Sequence, residues 1–544
     1  MHGVLKVRTT AEQQEAKRIE REKKLKKLDS IKAKIFEKKK NNEFDEEILE
    51  LTGGILSSIP DFLTLWNYRR KAIEKIEDKI ELQKLCENEL RFAKSCLQVN
   101  PKSYGSWHHL CFVMKYMPNP DWKKELDLCS LYLEYDERNF HCWDYRRFVV
   151  KNGCVSADDE IEFTSNKIAS NFSNYSSWQY RSRLLPEKYP DPSQSRGIQS
   201  DILMSELDLV QNAFFTDPND QSAWFYYRWL LTPDSPTLKL NFLQSYKQGD
   251  NLVIIVIFSK PVNKNKLSLK NNDELINTNW INISQDDIFI IHKCQVNDIC
   301  MGNLSLYVDD QLQFSTIDVE KTRNDGFIFS EFTTGRIELS VDILKSQLEN
   351  IQQLHDMEED NKWVLITLIF LLMKIDQFNN YSELVNEYLE KLLRLDPSRK
   401  RYYQDLRSKI ILEFYMKNYD ITDVNLSNKE LTSTKCNPIS SFLLAKNIDL
   451  SNNKLTSIDN SHFWQNAEKI NLSGNQLTNV TGIEHVLKLS QLDISNNNIK
   501  DIDELQNLKL CSNLSVVNLN GNPIQQVDNW QELLKNISST IKFI

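Results

Sequence analysis

Arg138-Asn-Phe-His-Cys-Trp143-Asp-Tyr-Arg146 decides the fold, because its pattern recurs along residues 43–231. Tryptophan returns at steps of 41, 36, 35 and 46 residues, at Trp66, Trp107, Trp143, Trp178 and Trp224. Periods of about 34 to 47 residues are typical of helical hairpins that stack, since each hairpin buries its apolar face only against its neighbours. The repeat therefore predicts an α-solenoid, and we expect the repeated tryptophans to be core residues.

Three of these hairpins also carry an arginine three residues after the tryptophan. The arginines are Arg69, Arg146 and Arg181. One helical turn separates the two positions, so we expect the arginine to brace a neighbouring segment by hydrogen bonding rather than to contact a ligand. Leu110 and Tyr227 stand at the arginine position in the other two hairpins. The bracing contacts of those hairpins do not follow from the pattern.

Changes in the periodicity of apolar residues divide the chain into four predicted parts. Residues 1–236 hold the helical repeats and a charged N-terminal helix, and residues 341–418 return to the helical solenoid. Between them, residues 237–340 contain short β-branched runs such as Leu252 to Phe258 and Leu304 to Val308, which predict an Ig-like β-sandwich inserted into the solenoid. The fold class is thus multidomain and mainly α.

Residues 419–544 carry a second, shorter repeat. Its apolar cores recur at steps of 24, 22, 22 and 25 residues, at Val424, Ile448, Ile470, Leu492 and Val517. Asparagine follows the last four cores at a fixed distance, as Asn453, Asn475, Asn497 and Asn522. This is the spacing of leucine-rich repeats, in which the asparagine satisfies main-chain groups where the chain leaves a short strand.

Composition excludes several classes of function. The net charge of −9 gives no basic field for nucleic acid, so no nucleic-acid partner is expected. The longest apolar run, Trp363 to Met373, has eleven residues and is too short for a membrane span, and the polar N-terminus favours a cytoplasmic protein. Phosphate-loop, dinucleotide-binding and nucleophile-elbow motifs are missing. The residues alone indicate a scaffold without a self-contained active site.

The Trp-x-x-Arg hairpin repeat resembles that of protein prenyltransferase α subunits. The most specific local matches are Met1-His-Gly-Val-Leu-Lys-Val, Pro101-Lys-Ser-Tyr-Gly-Ser-Trp-His-His and Asp136-Glu-Arg-Asn-Phe-His-Cys-Trp-Asp-Tyr-Arg-Arg. The order of modules, with a sandwich inserted into the solenoid and leucine-rich repeats at the end, is similar to the Rab geranylgeranyltransferase (type II) group of that family. The resemblance covers essentially the whole chain.

This resemblance implies a heterodimeric enzyme in which a β subunit holds Zn²⁺ and geranylgeranyl diphosphate. The enzyme would prenylate C-terminal cysteines of Rab GTPases presented by Rab escort protein. Lys102 matches the family lysine that reaches the diphosphate, while Tyr104, Asn139 and Phe140 match positions at the mouth of the β-subunit cavity. His2 matches an N-terminal histidine that can reach the partner's zinc as a self-inhibitory ligand.

Two alternative functions remain open at this stage. The α subunit shared by farnesyltransferase and type I geranylgeranyltransferase has the hairpin repeats but neither extra module. A non-enzymatic adaptor could instead use the solenoid and the leucine-rich repeats to bind a partner. Co-purification with a zinc-containing subunit would separate the enzyme from the adaptor.

Overall fold

The computed structural model describes residues 11–232, 238–248, 251–271, 274–282, 291–296, 303–318, 327–330, 339–376, 382–415, 422–435, 442, 445–459, 461–535, 537–538 and 540–544. The chain divides into two compact units, Met1–Lys188 and Tyr189–Ile544. The prediction of a mainly helical chain that also contains β-sheet is confirmed. Within the described ranges, every helix is too short or too polar to cross a bilayer.

The first unit consists of helices joined by short turns. They are α1 (Ala11–Lys40), α2 (Glu46–Leu56), α3 (Leu63–Glu74), α4 (Lys79–Val99), α5 (Tyr104–Tyr116), α6 (Trp122–Tyr135), α7 (Phe140–Gly153), α8 (Ala157–Ser170) and α9 (Tyr175–Lys188). From α2 onward they pack as consecutive pairs. The four repeat tryptophans of this unit are at most 5% exposed and belong to the second helix of each pair.

A short turn leads into each tryptophan helix, and polar side chains fix it. Asn100 and Asp136, at the ends of α4 and α6, accept hydrogen bonds from the main-chain N–H two residues later at 3.1 Å each. The indole N–H then donates to the carbonyl six residues before it, at 2.7–2.9 Å, in all five hairpins. A buried indole must find a partner for its single donor. The repeated tryptophan is therefore both a core residue and a staple that closes its turn.

The second unit begins with helices and returns to them after a β module. The helices are α10 (Ser200–Thr216), α11 (Gln221–Leu231), α12 (Val341–Met357), α13 (Lys362–Asp376), α14 (Ser382–Leu395), α15 (Lys400–Tyr415) and a short α16 (Trp530–Lys535). Asn361, the cap of α13, donates to the Pro218 carbonyl at 3.0 Å, which also accepts from Trp224. Asn139 makes the same contact to Pro101 in the first unit, at 3.1 Å. The hairpin pattern thus resumes after the β module.

The β module contains two antiparallel sheets in the order β5-β6-β2-β1-β9 and β4-β3-β7-β8. Their strands are β1 (Leu240–Gln248), β2 (Asn251–Phe258), β3 (Leu267–Asn271), β4 (Glu274–Ile276), β5 (Asn279–Asn282), β6 (Ile291–Val296), β7 (Asn303–Val308), β8 (Gln311–Asp318) and β9 (Phe327–Ser330). Ile254 and Val256 of β2 belong to the same apolar core as Leu306 of the other sheet. Val253 and Ile255 point the other way, into the core of the C-terminal module. Because both faces of β2 are covered, its sequence is a continuous apolar run rather than an alternating one.

The C-terminal module is a parallel sheet of six short strands in chain order. They are β10 (Asp423–Asn425), β11 (Asn447–Asp449), β12 (Lys469–Asn471), β13 (Gln491–Asp493), β14 (Val516–Asn518) and β15 (Lys542–Phe543). Asn475 donates to the Leu450 and Leu472 carbonyls at 3.0 Å and accepts from the Leu455 N–H at 3.0 Å. Asn453, Asn497 and Asn522 make equivalent contacts. These buried amides satisfy the main chain where each strand ends.

Candidate functional site

Two of the repeated arginines, Arg69 and Arg146, contact buried glutamates that the sequence analysis did not single out. Glu89, Glu125, Glu160 and Glu206 all lie 18 residues before a repeat tryptophan, and each is at most 3% exposed. The Arg69 guanidinium donates two hydrogen bonds to the Glu89 carboxylate, from Nε at 2.8 Å and from Nη2 at 2.5 Å. Arg146 makes the same bidentate contact to Glu160, with the same distances. A buried charge requires a partner, so the constant spacing was a usable sequence signal.

The Arg69–Glu89 pair extends to a buried histidine. His109 lies 2.9 Å from Glu89 through Nε2, and its ring packs against Trp66 at 4.6 Å between centroids. Burial lowers the pKa of His109, so the ring is neutral and donates its Nε2–H to the carboxylate. Burial alone would raise the pKa of Glu89, but the hydrogen bonds from His109 and Arg69 outweigh it and lower that pKa. His109 is a structural histidine rather than a metal ligand.

Both departures from the arginine pattern are compensated by other residues. In place of an arginine at Leu110, Lys94 of α4 contacts Glu125 at 2.5 Å, and Tyr145 donates to the same carboxylate at 3.0 Å. Tyr227 donates to Gln347 at 2.9 Å, and both side chains are fully buried. A neutral pair thus replaces the ion pair there. Other residue types thus make the buried polar contacts where the arginine is missing, which indicates a structural role for these contacts.

Lys102 lies on the turn between α4 and α5, away from this network. Its side chain is 68% exposed, and Nζ is 3.7 Å from a carboxylate oxygen of Asp136. The main-chain N–H of Lys102 is donated to Asn100 at 3.1 Å, so the turn beneath the exposed ammonium is fixed. A long, solvent-exposed cation on an ordered turn can contact an anionic ligand without first losing a buried partner.

Two exposed aromatic residues lie beside Lys102. Tyr104 and Phe140 are 65% and 51% exposed, and their ring centroids are 6.2 Å apart. Asn139, which the sequence analysis placed with them, is only 4% exposed. Its amide accepts from the N–H groups of His141 and Cys142 at 3.1 and 3.3 Å and donates to the Pro101 carbonyl. The structure therefore brings together an exposed cation and two exposed aromatics, with Asn139 below them as a helix cap.

His2 lies outside the described residues. Among the residues that the structure describes, no group of three or more His, Cys, Asp or Glu is placed to hold a metal ion. The side chains present around Lys102 supply positive charge and apolar surface instead. This arrangement suits recognition of an anionic, partly apolar ligand that another surface helps to enclose.

Comparison with known proteins identifies the helical hairpins. The family model for the protein prenyltransferase alpha subunit repeat matches residues 86–117, 122–153, 157–187 and 203–232. These segments coincide with the tryptophan hairpins that end in α5, α7, α9 and α11. The prediction of prenyltransferase-type repeats is confirmed.

Curated relatives match much more of the chain. The geranylgeranyl transferase type-2 subunit alpha of Homo sapiens is 42% identical over 490 residues, which covers 84% of each chain. The protein of the same name from Dictyostelium discoideum is 30% identical over 416 residues, covering 75% of this chain and all of the relative. That from Saccharomyces cerevisiae is 32% identical over 283 residues, covering 51% of this chain and 82% of the relative. The chain belongs to the geranylgeranyl transferase type-2 subunit alpha family and is a prenyltransferase subunit.

Proposed function

We propose that this chain is the α subunit of a heterodimeric Rab geranylgeranyltransferase. The enzyme transfers geranylgeranyl from geranylgeranyl diphosphate to C-terminal cysteines of Rab GTPases presented by Rab escort protein. The observation that carries this proposal is the exposed Lys102 on its fixed turn, beside Tyr104 and Phe140, in a chain 42% identical to a human type-2 α subunit. We assign Zn²⁺ to the β subunit, as the family resemblance implies.

The chemical role of Lys102 is electrostatic. During transfer, a bond forms between the cysteine sulfur and C1 of the isoprenoid while the bond from C1 to the diphosphate oxygen breaks. Negative charge then grows on the departing diphosphate. An ammonium that can approach it stabilises the transition state more than the bound substrate, which is the condition for a higher rate. Tyr104 and Phe140 add apolar surface next to that charge, at the mouth of the β-subunit cavity.

The remaining parts of the chain are assigned as follows. The two packed antiparallel sheets are an Ig-like domain, 237–340, inserted between helical segments 1–236 and 341–418. The parallel sheet with its buried asparagines is a leucine-rich-repeat domain, 419–544. Rab escort protein docks on the helical part, so removing residues 420–544 leaves its binding intact. His2 reaches the partner's zinc in the resting enzyme, and the complex works in the cytoplasm.

Single-turnover transfer by the assembled heterodimer tests the function. Wild-type chain co-expressed with a type-2 β subunit should prenylate a Rab–escort complex from geranylgeranyl diphosphate. Transfer from farnesyl diphosphate to a C-terminal CaaX peptide, without escort protein, would favour the farnesyltransferase or type I alternative. Failure to form a heterodimer or to transfer any prenyl group would favour the adaptor.

Lys102→Ala in the same heterodimer tests the site. Loss of one charge-assisted contact costs about 1.5–3 kcal/mol, so the rate of the chemical step should fall roughly tenfold to hundredfold. The affinity for the lipid diphosphate should change less, and Lys102→Arg should restore part of the rate. Lys123→Ala removes another exposed lysine, on α6, and serves as the matched control. An unchanged rate in Lys102→Ala would make Lys102 an ordinary surface lysine.

A further inference from the structure

A polar side chain seven residues before the tryptophan fixes the turn in four of the five hairpins. The residues at this position are Asn100, Asp136, Asn171 and Asp217. Each accepts a hydrogen bond from the main-chain N–H two residues later, at 2.9–3.1 Å. Asparagine and aspartate both serve this bond, because both supply a side-chain oxygen. The negative charge of Asp136 is therefore not required by its own turn.

The second polar atom of the side chain at this position contacts the turn of the preceding hairpin. Nδ2 of Asn100 donates to the Asp61 carboxylate at 2.8 Å. Nδ2 of Asn171 donates in the same way to the Glu137 carboxylate at 2.7 Å. Where the preceding turn presents an acid, the repeat thus presents an amide donor to it. The position links neighbouring turns as well as capping its own.

In the hairpin of Trp143 the corresponding atom faces a cation. Oδ2 of Asp136 lies 3.7 Å from Nζ of Lys102, while Oδ1 accepts from the Arg138 N–H at 3.1 Å. The two oxygens of one carboxylate therefore have separate partners, one in each turn. The Asp136 and Lys102 side chains are 41% and 68% exposed, so water surrounds the ion pair and it can be broken at small cost.

We propose that Asp136 is a positioning residue, which holds the Lys102 ammonium as its counter-ion in the free enzyme and gives it up to the diphosphate. This inference rests on the proposed function, because it needs a diphosphate at Lys102. A diphosphate carries more negative charge than one carboxylate and offers more acceptor oxygens, so it displaces Asp136 from the ammonium. The contact that is lost weakens diphosphate binding. Asp136 therefore favours release of the diphosphate product.

Asp136→Asn removes the charge and keeps the turn. Asparagine stands at the same position in two other hairpins, so the variant should fold and keep the bond from the Arg138 N–H. In the assembled heterodimer, inorganic pyrophosphate is titrated as a competitor of geranylgeranyl diphosphate. We expect Asp136→Asn to tighten pyrophosphate binding roughly twofold to fivefold, which is the contribution of an exposed ion pair. The gain should shrink at high salt. A variant that only disturbed the structure would bind pyrophosphate more weakly.

Two comparisons show whether the effect depends on Lys102. Glu134→Gln removes the same charge from an exposed position of α6 and should leave the affinity for pyrophosphate unchanged. In the Lys102→Ala background, Asp136→Asn should also leave it unchanged, because no ammonium remains to be released. Unchanged or weaker binding in Asp136→Asn, or equal tightening with and without Lys102, would overturn the inference while the wild-type heterodimer still transfers the prenyl group. A wild-type heterodimer without transferase activity would overturn the proposed function as well.

Discussion

Replacement of Lys94 by methionine tests the idea that the buried glutamates must each be neutralised. Lys94→Met keeps most of the apolar stem but removes the ammonium from Glu125, which is 2% exposed and keeps the hydrogen bond from the Tyr145 hydroxyl. Breaking a buried ion pair from one side costs about 3–5 kcal/mol. Lys94 is itself 21% exposed, so water can approach the carboxylate and the loss should lie nearer about 2–3 kcal/mol.

For a unit of this length, Met1–Lys188, each kcal/mol corresponds to roughly 2–4 °C, so the melting temperature should fall by about 4–12 °C. Differential scanning fluorimetry of the assembled heterodimer measures this shift. Lys84→Met, at an exposed position of the same helix, is the matched control and should change the melting temperature little. Adding Leu110→Arg restores the arginine of the repeat pattern and should recover part of the loss.

A Lys94→Met melting temperature within about 1 °C of that of the control would refute the reasoning, because it would mean that Glu125 needs no buried cation. A double variant less stable than Lys94→Met would show that the arginine position of this hairpin cannot reach the carboxylate.

Three further predictions concern buried polar groups and close packing. His109→Gln keeps a donor to Glu89 but cannot be protonated. Because burial lowers the pKa of His109 in the folded state, the wild-type protein should be most stable above about pH 6.5 and should lose stability as the pH decreases below that value. The free energy of unfolding, measured by urea denaturation, should therefore depend less on pH in the variant. In Gly105→Ala the added Cβ would lie 2.5 Å from Trp66 Nε1, so destabilisation by about 1–3 kcal/mol is expected, while Gly54→Ala, with open space around it, should be neutral or slightly stabilising. Asn475→Ala leaves buried main-chain groups unpaired and should lower the stability of the C-terminal module by roughly 2–4 kcal/mol, measured by hydrogen exchange of that module; unchanged protection would contradict the structural role of the amide.

The two repeats could be predicted from the sequence because each repeated residue makes the same local hydrogen bonds in every repeat. Trp143 closes its own turn by binding a carbonyl six residues away, and Asn475 satisfies groups at the end of its own strand. Such contacts depend on short-range geometry, which a fixed spacing preserves. The family resemblance then directed attention to Lys102, which spacing alone would have left as an exposed loop lysine.

Contacts between different hairpins could be identified only from the tertiary structure. The sequence shows that Leu110 interrupts the arginine pattern, but only the fold shows that Lys94 neutralises Glu125 instead. The family resemblance likewise predicts Asn139 at the site, whereas the fold shows that its amide is a buried helix cap.

The surroundings of His141 likewise depend on the fold, because nothing in its own helix indicates that its ring packs against Tyr104 of the preceding hairpin. Local periodicity determines which face of a helix a side chain occupies. The groups that meet that face come from distant parts of the chain and are decided only when the hairpins stack.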